Sequence, residues 1–182
     1  MTAIDNNLAK VFLDFTRQRL FGRYWPRLRE CVTPLSTEQI WWRPNEASNS
    51  IGNLILHLNG NVGQWLVASF NKDEDKRNRP AEFSAHGGAT AAELLAVLGA
   101  TLDAAAAVID RLTVDELLAP YEIQGYHVHG LDAVYQVVEH FGMHYGQIAY
   151  ITKSLTGRDL GFYRELTKTG HLPQGEQPKR YP

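Results

Sequence analysis

From Leu131 to Leu155 apolar residues recur every three or four positions with no proline between them, and Gly157 follows where a helix would end. A segment of that length and period is best satisfied as an amphipathic helix of about seven turns that buries one face against other helices. Its apolar stripe runs through Val134, Val137, Val138, Phe141, Tyr145, Ile148, Ile151 and Leu155. His140 and His144 project into or beside that stripe, in a column that also holds Gln136. Residues four apart stack on one helix face, so the two imidazoles can converge on a single metal ion. They can equally be hydrogen-bonded core histidines, because a buried polar group needs a partner of some kind.

Three more segments carry the helical period. The first runs from about Asp5 to Cys31, with Leu8, Val11, Phe12, Phe15, Leu20 and Leu28 expected on its buried side and Pro26 expected to kink or divide it. The second is capped by Ser48-Asn49-Ser50 and continues to about Phe70, burying Ile51, Leu54, Ile55, Leu58, Val62, Trp65 and Leu66. His57 falls at the flank of that stripe, in a column reading Asn53, His57, Asn61, Trp65. The third opens on a capping box, Thr90 to Glu93, and repeats Leu94, Leu98, Thr101, Leu102, Ala105, Val108 and Ile109. The expected fold is all-α, a four-helix bundle.

The connections add detail. Leu35–Pro44 and Leu112–Pro120 echo each other, each with a Ser or Thr cap, acidic or amide residues, apolar residues and a stopping proline, which predicts a short helix in each. Tyr121 to Gly130 alternates around Gly125 and predicts a small β-hairpin, with His127 and His129 on one side as a rival metal pair or as plain surface imidazoles. Asn71 to Pro80 is a charge run expected to face water on the way to Gly87-Gly88, with Arg77 and Arg79 able alternatively to bind an anionic substrate.

A chain of 182 residues suggests one domain, read as a bundle over 1–163 followed by an extended polar tail over 164–182 in which His171 is incidental. A net charge of −2 and a pI near 6.4 give no electrostatic case for nucleic acid or a membrane surface. No apolar run is read as reaching a membrane-spanning length, and the first ten residues lack the pattern of a signal peptide. The single cysteine, Cys31, excludes an internal disulfide, fits a reducing cytoplasm and is read as a partly buried, inert thiol.

The order of motifs resembles the DinB/YfiT superfamily of four-helix bundles. The likeness covers about residues 5–163. It rests on Trp42-Arg-Pro44, Ser50-Ile-Gly-Asn-Leu-Ile-Leu-His57-Leu-Asn-Gly-Asn61, Ile123-Gln-Gly125, Val138-Glu-His140-Phe-Gly-Met-His144-Tyr-Gly-Gln-Ile148 and Leu155-Thr-Gly-Arg-Asp-Leu-Gly-Phe-Tyr163. The resemblance implies an up-down-down-up topology and a divalent metal bound by His57, His140 and His144. It also implies a homodimer, and chemistry of the kind found in metal-dependent thiol transferases, a thiol-dependent isomerase and proposed hydrolases. It assigns nothing to His127, His129 or the residues past Tyr163.

Three neutral imidazoles leave coordination positions for water or substrate, as in a catalytic rather than a structural site. The ligand type suits nickel or zinc, with iron and manganese also open, and a low-molecular-weight thiol is a candidate co-substrate. Phe141-Gly142-Met143 between the paired histidines lacks the glutamate of the zinc-peptidase helix motif. Glu139 projects about 100° from His140 and should face solvent. Gln136, Gln147 and Asn61 are candidate hydrogen-bond partners of the ligands. Trp41, Trp42 and Trp65 either fill the core or wall a pocket, and the resemblance places Trp42 and Arg43 near its opening.

No residue is singled out as catalytic. The expectations are a metal-dependent enzyme acting on a small molecule, a non-catalytic metal- or ligand-binding stress module, or a bundle whose histidines satisfy one another.

Overall fold

In a computed structural model describing residues 3–164, the four periodic segments form four helical columns. The first is α1 (Ala3–Arg19), which continues through a π-helical stretch, Leu20–Tyr24, into α2 (Trp25–Val32). Pro26 sits in the first turn of α2, and the Trp25 N–H bonds back to the Leu20 carbonyl across the wider turn. The column is therefore continuous rather than divided, because the π turn accommodates the donor that proline lacks.

The short helix α3 (Thr37–Trp41) follows, then α4 (Ile51–Val62), which runs through a second π-helical stretch, Gly63–Ala68, into α5 (Ser69–Asn71). After α6 (Arg79–Ser84) come the long α7 (Ala91–Arg111) and the short α8 (Val114–Leu118). The strands β1 (Pro120–Ile123) and β2 (Tyr126–His129) lead into α9 (Gly130–Thr156).

Side-chain pairs fix the direction of each column. Arg17 pairs with Asp110 while Trp25 packs on Gly99, so the first column runs antiparallel to α7. Thr101 Oγ1 donates to Asn59 Oδ1 at 2.7 Å and Arg111 donates to the Phe70 carbonyl at 3.0 Å, which makes α4–α5 parallel to α7. His57 stands opposite His140, and Trp65 opposite Gln124 and Tyr126 just before α9, so α4 runs antiparallel to α9. The order is up-down-down-up.

The sequence echo corresponds to matching caps. Ser36 with Gln39 and Thr113 with Glu116 each close a capping box at the start of α3 and α8, and Ser50 with Asn53 does the same for α4. The hairpin pairs Tyr121 with Val128 and Glu122 with His127, and it turns at Gln124-Gly125, where φ is 57° and 81°. Positive φ at both central residues is the pattern of a type I′ turn, which matches strand twist and admits glycine readily.

Expectations for α1 and α7 change. Leu8, Val11 and Phe15 were expected inside but lie outward with Ile4, all between 43% and 70% exposed, while Leu13, Thr16 and Leu20 face the core. The helix carries two apolar faces, and periodicity alone cannot say which one the bundle takes. The second change concerns α7, a helix of 21 residues that is long and apolar enough to cross a bilayer by length and composition. In the bundle its seam of Leu94, Leu98, Leu102, Ala105, Val108 and Ile109 is buried, and Asp103 is exposed midway along it. The expected tail, with His171, lies outside the described residues apart from Arg164.

Cys31 is fully buried rather than partly so. Burial, with a smaller push from Glu30, raises its thiol to about 11 against a weaker pull from Arg158. At pH 8 only about one thiol in a thousand would be ionised. Native protein should give no rapid reaction with an aromatic disulfide reagent at that pH, and one equivalent should react after denaturation.

Candidate metal centre

The α4–α9 seam brings together the three histidines. His57 Nε2 lies 3.0 Å from His140 Nε2, and His144 Nε2 lies 3.1 Å from the same atom. All three candidate donor atoms fall within 4.8 Å of one another. His57 and His144 are buried, and His140 is half-buried.

The δ-nitrogens point away from this meeting point. His57 Nδ1 is 2.7 Å from Glu82 Oε2, and His144 Nδ1 is 2.7 Å from Gln147 Oε1. Both partners are acceptors. Arg77 Nη2 also lies 3.1 Å from His57 Nδ1 but is engaged with Glu82 Oε2 at 3.0 Å, so the shorter carboxylate contact places the proton on Nδ1, and each ring turns an Nε2 lone pair toward the centre. His140 Nδ1 is buried and finds no partner among the described residues.

Electrostatics favour the neutral forms of His140 and His144. Burial, then the charges of His144, His57, Arg77 and Arg79, push His140 down to about 3. His144 is likewise lowered by burial and by His57, against a hydrogen bond to Gln147 that works the other way. For Glu82, burial is the largest influence and opposes ionisation. Hydrogen bonds from His57 and Arg77 and the Arg77 charge outweigh it, holding the carboxyl below its usual range.

The two pairs that include His140 have the spacing of a shared cation, while His57 and His144 are held within 4.8 Å of each other. Two nitrogens each about 2.1 Å from a shared ion, about 90–110° apart around it, stand about 3.0–3.4 Å from each other. Neutral imidazoles are the form that binds a metal. Without a cation, a single proton on His140 Nε2 serves only one of the two facing Nε2 lone pairs and leaves the other without a donor there, which costs free energy.

A strap over residues 72–85 closes one side. Phe83 packs its ring 4.8 Å from that of His57, and Arg79 lies over Phe83 at 5.0 Å. Arg77 does not face water as expected of the charge run. It donates to Glu82 Oε1 at 2.7 Å and to Gln64 Oε1 at 2.8 Å, with its side chain only 4% exposed. The backbone of the strap is held by Asn53, whose Nδ2 donates to the Glu82 and Ala85 carbonyls, both at 2.8 Å. Arg43 donates to Asn53 Oδ1 and to the Ala85 carbonyl, also both at 2.8 Å.

The other candidates fall outside the cluster. Trp42 is exposed, and Trp41 packs on Gly52 and donates to the Ala89 carbonyl. Trp65 is buried beside the hairpin. His129 and Asp132 cap α9, His127 is exposed on β2, and Glu139 faces solvent. Of the three proposed amide partners only Gln147 reaches a ligand. Asn61 Oδ1 and Gln136 Oε1 are buried without a partner among the described residues. Glu82 carries no sequence expectation, because it lies just past the charge run on the way to Gly87-Gly88. Asn78 followed by Pro80 and Glu82, a side-chain cap with proline in the first turn, was the available signal for α6.

A histidine kept neutral by the fold takes up a proton only on unfolding. Between its ordinary pKa of 6.5 and a native value of about 3, the unfolded chain binds more protons, so stability falls as pH falls. The melting temperature of metal-free protein should drop between pH 7 and pH 5. His140→Leu should show a smaller drop, measured by circular dichroism.

A solved structure described as a conserved protein from Enterococcus faecalis superimposes with a TM-score of 0.64 at 16% identity, over 87% of this chain and 99% of that one. At that identity the likeness speaks for the fold. No functionally curated protein matches the sequence. The profile of DUF1572, a family of proteins of unknown function, matches residues 7–167, and the chain belongs to that family.

Proposed function

We propose that this chain is a DinB/YfiT-like metal-dependent enzyme that holds a divalent ion through His57, His140 and His144 and acts on a small molecule. The reaction is thiol transfer or hydrolysis. One observation carries the reading: three imidazole ε-nitrogens meet while two of the three δ-nitrogens are occupied by acceptors. The up-down-down-up order and the histidine positions agree with the resemblance on which the DinB/YfiT assignment rests.

The donor set suits nickel or zinc, with iron or manganese as weaker candidates. When bound, such an ion supplies Lewis acidity, lowering the pKa of coordinated water or of a thiol co-substrate and polarising an electrophile. The chain's own residues prepare the site. Glu82 and Gln147 hold protons at His57 Nδ1 and His144 Nδ1, His140 stays neutral, and Phe83 covers the His57 ring.

A homodimer is part of the proposal. Ile4, Leu8, Val11 and Phe15, spaced four, three and four along α1, offer an exposed apolar seam for a second copy. A cytoplasmic setting suits the lone thiol.

The second reading, a non-catalytic metal- or ligand-binding module, draws on Glu82. This carboxylate beside the cluster is committed to His57 and Arg77 rather than free to act as a base.

Protein made without a histidine tag and incubated with excess zinc or nickel should retain about one equivalent. His140→Ala should lose that metal while keeping the helical spectrum. Panels pairing a low-molecular-weight thiol with electrophiles, and panels of esters and amides, should reveal metal-dependent turnover that His140→Ala abolishes. Stoichiometric metal without turnover would favour the binding module, and metal well below one equivalent would favour a purely structural cluster.

A further inference from the structure

We infer that Glu82 is a positioning residue for the metal centre. It selects the His57 tautomer that carries its proton on Nδ1 and so keeps the Nε2 lone pair directed at His140 and His144. The inference deepens the proposed metal-binding role and rests on it.

An ionised carboxylate only accepts hydrogen bonds, so Glu82 Oε2 at 2.7 Å from His57 Nδ1 calls for a proton on that nitrogen, against a longer approach of the donor Arg77 Nη2 at 3.1 Å that is itself engaged with Oε2. The carboxylate has little freedom to turn. Arg77 Nε donates to Oε1 at 2.7 Å and Arg77 Nη2 to Oε2 at 3.0 Å, a two-point clamp. Arg77 is fixed in turn. Its Nη1 donates to Gln64 Oε1 and its backbone N–H to Asp75 Oδ1 at 3.0 Å, and Asp75 Oδ2 accepts from Gln64 Nε2 at 2.6 Å.

Beneath the carboxylate lies Gly60, where a Cβ would collide with Glu82 Oε1, so the bare backbone of α4 admits the close approach. Asn53 holds the main chain of α6 from the same helix. Glu82 itself is 7% exposed. Gln147 plays the corresponding part for His144 as a neutral amide, a weaker acceptor than a carboxylate.

A buried ion pair with a merely structural role would be indifferent to which nitrogen of His57 holds the proton. Glu82→Gln separates the two roles. The amide offers one oxygen where two accepted before, and Arg77 donates to both positions, so either orientation sets the NH2 against an Arg77 donor. With the NH2 at the Oε2 position it bonds only to an unprotonated Nδ1, which moves the proton to Nε2 and closes the lone pair to metal. With the NH2 at the Oε1 position, the neutral oxygen left at Nδ1 is a weaker acceptor than a carboxylate and holds the tautomer less firmly.

Two measurements follow. Imidazole 15N shifts of the metal-free protein report the tautomer, and competition with a chromogenic chelator reports the affinity for Zn(II) alone. Wild type should show His57 protonated on Nδ1. Glu82→Gln should populate the form protonated on Nε2 and weaken Zn(II) binding by about 10–100-fold, more than Gln147→Ala does.

Should Glu82→Gln misfold, Arg77→Met with Glu82→Leu removes both charges together, leaves no lone buried ion, and should show the same loss of affinity. Zn(II) affinity within about twofold of wild type, with His57 still protonated on Nδ1, would overturn the role of Glu82 alone. Wild-type protein that takes up no Zn(II) would overturn the metal reading and this inference with it.

Discussion

The antiparallel packing of α4 on α9 is the contact on which the rest depends. It sets one imidazole from the first helix against two from the second, with their ε-nitrogens about a cation's width apart. Placing three nitrogen heterocycles in a helical core is costly unless each ring finds acceptors or a metal. The surrounding structure bears the marks of that requirement. Gln147 answers His144 from one turn along the same helix, and a whole strap is drawn over the bundle so that Glu82 can answer His57. The strap needs its own support, which Asn53, Arg77, Gln64 and the open backbone at Gly60 supply. The result is a cluster of three imidazoles that could hold a metal ion inside a helical bundle, with the neutral forms of His140 and His144 favoured.

Much of this arrangement was legible in the sequence because helices encode their faces locally. The stripes of α4, α7 and α9, the paired capping boxes before α3 and α8 and the hairpin around Gly125 all follow from short-range patterns. His140, His144 and Gln147 share one helix, so their relation is a matter of spacing. The place of His57 opposite them came from the resemblance rather than from its own helix.

What could not be read is what depends on the third dimension. Glu82 and Arg77 lie in a polar stretch whose charge argues for solvent, and only the fold reveals that both turn inward toward His57. The first helix shows the same limit. Its Leu8–Val11–Phe15 face is as apolar as a core face, yet the bundle uses Leu13, Thr16 and Leu20 instead. In α9, Gln136 occupies the column of His140, but its Oε1 finds no partner among the described residues, since a shared column fixes direction and not reach.

Membership in DUF1572 and the likeness to a bacterial structure establish a lineage and a fold without an activity. Chemistry must therefore be argued from the cluster. The most direct test is X-ray absorption at the zinc edge on protein loaded with one equivalent of Zn(II). A shell containing three imidazole nitrogens at about 2.0–2.1 Å, with the outer scattering of their rings, is the predicted result. A sulfur shell at about 2.3 Å, or an oxygen shell without imidazole scattering, would contradict it.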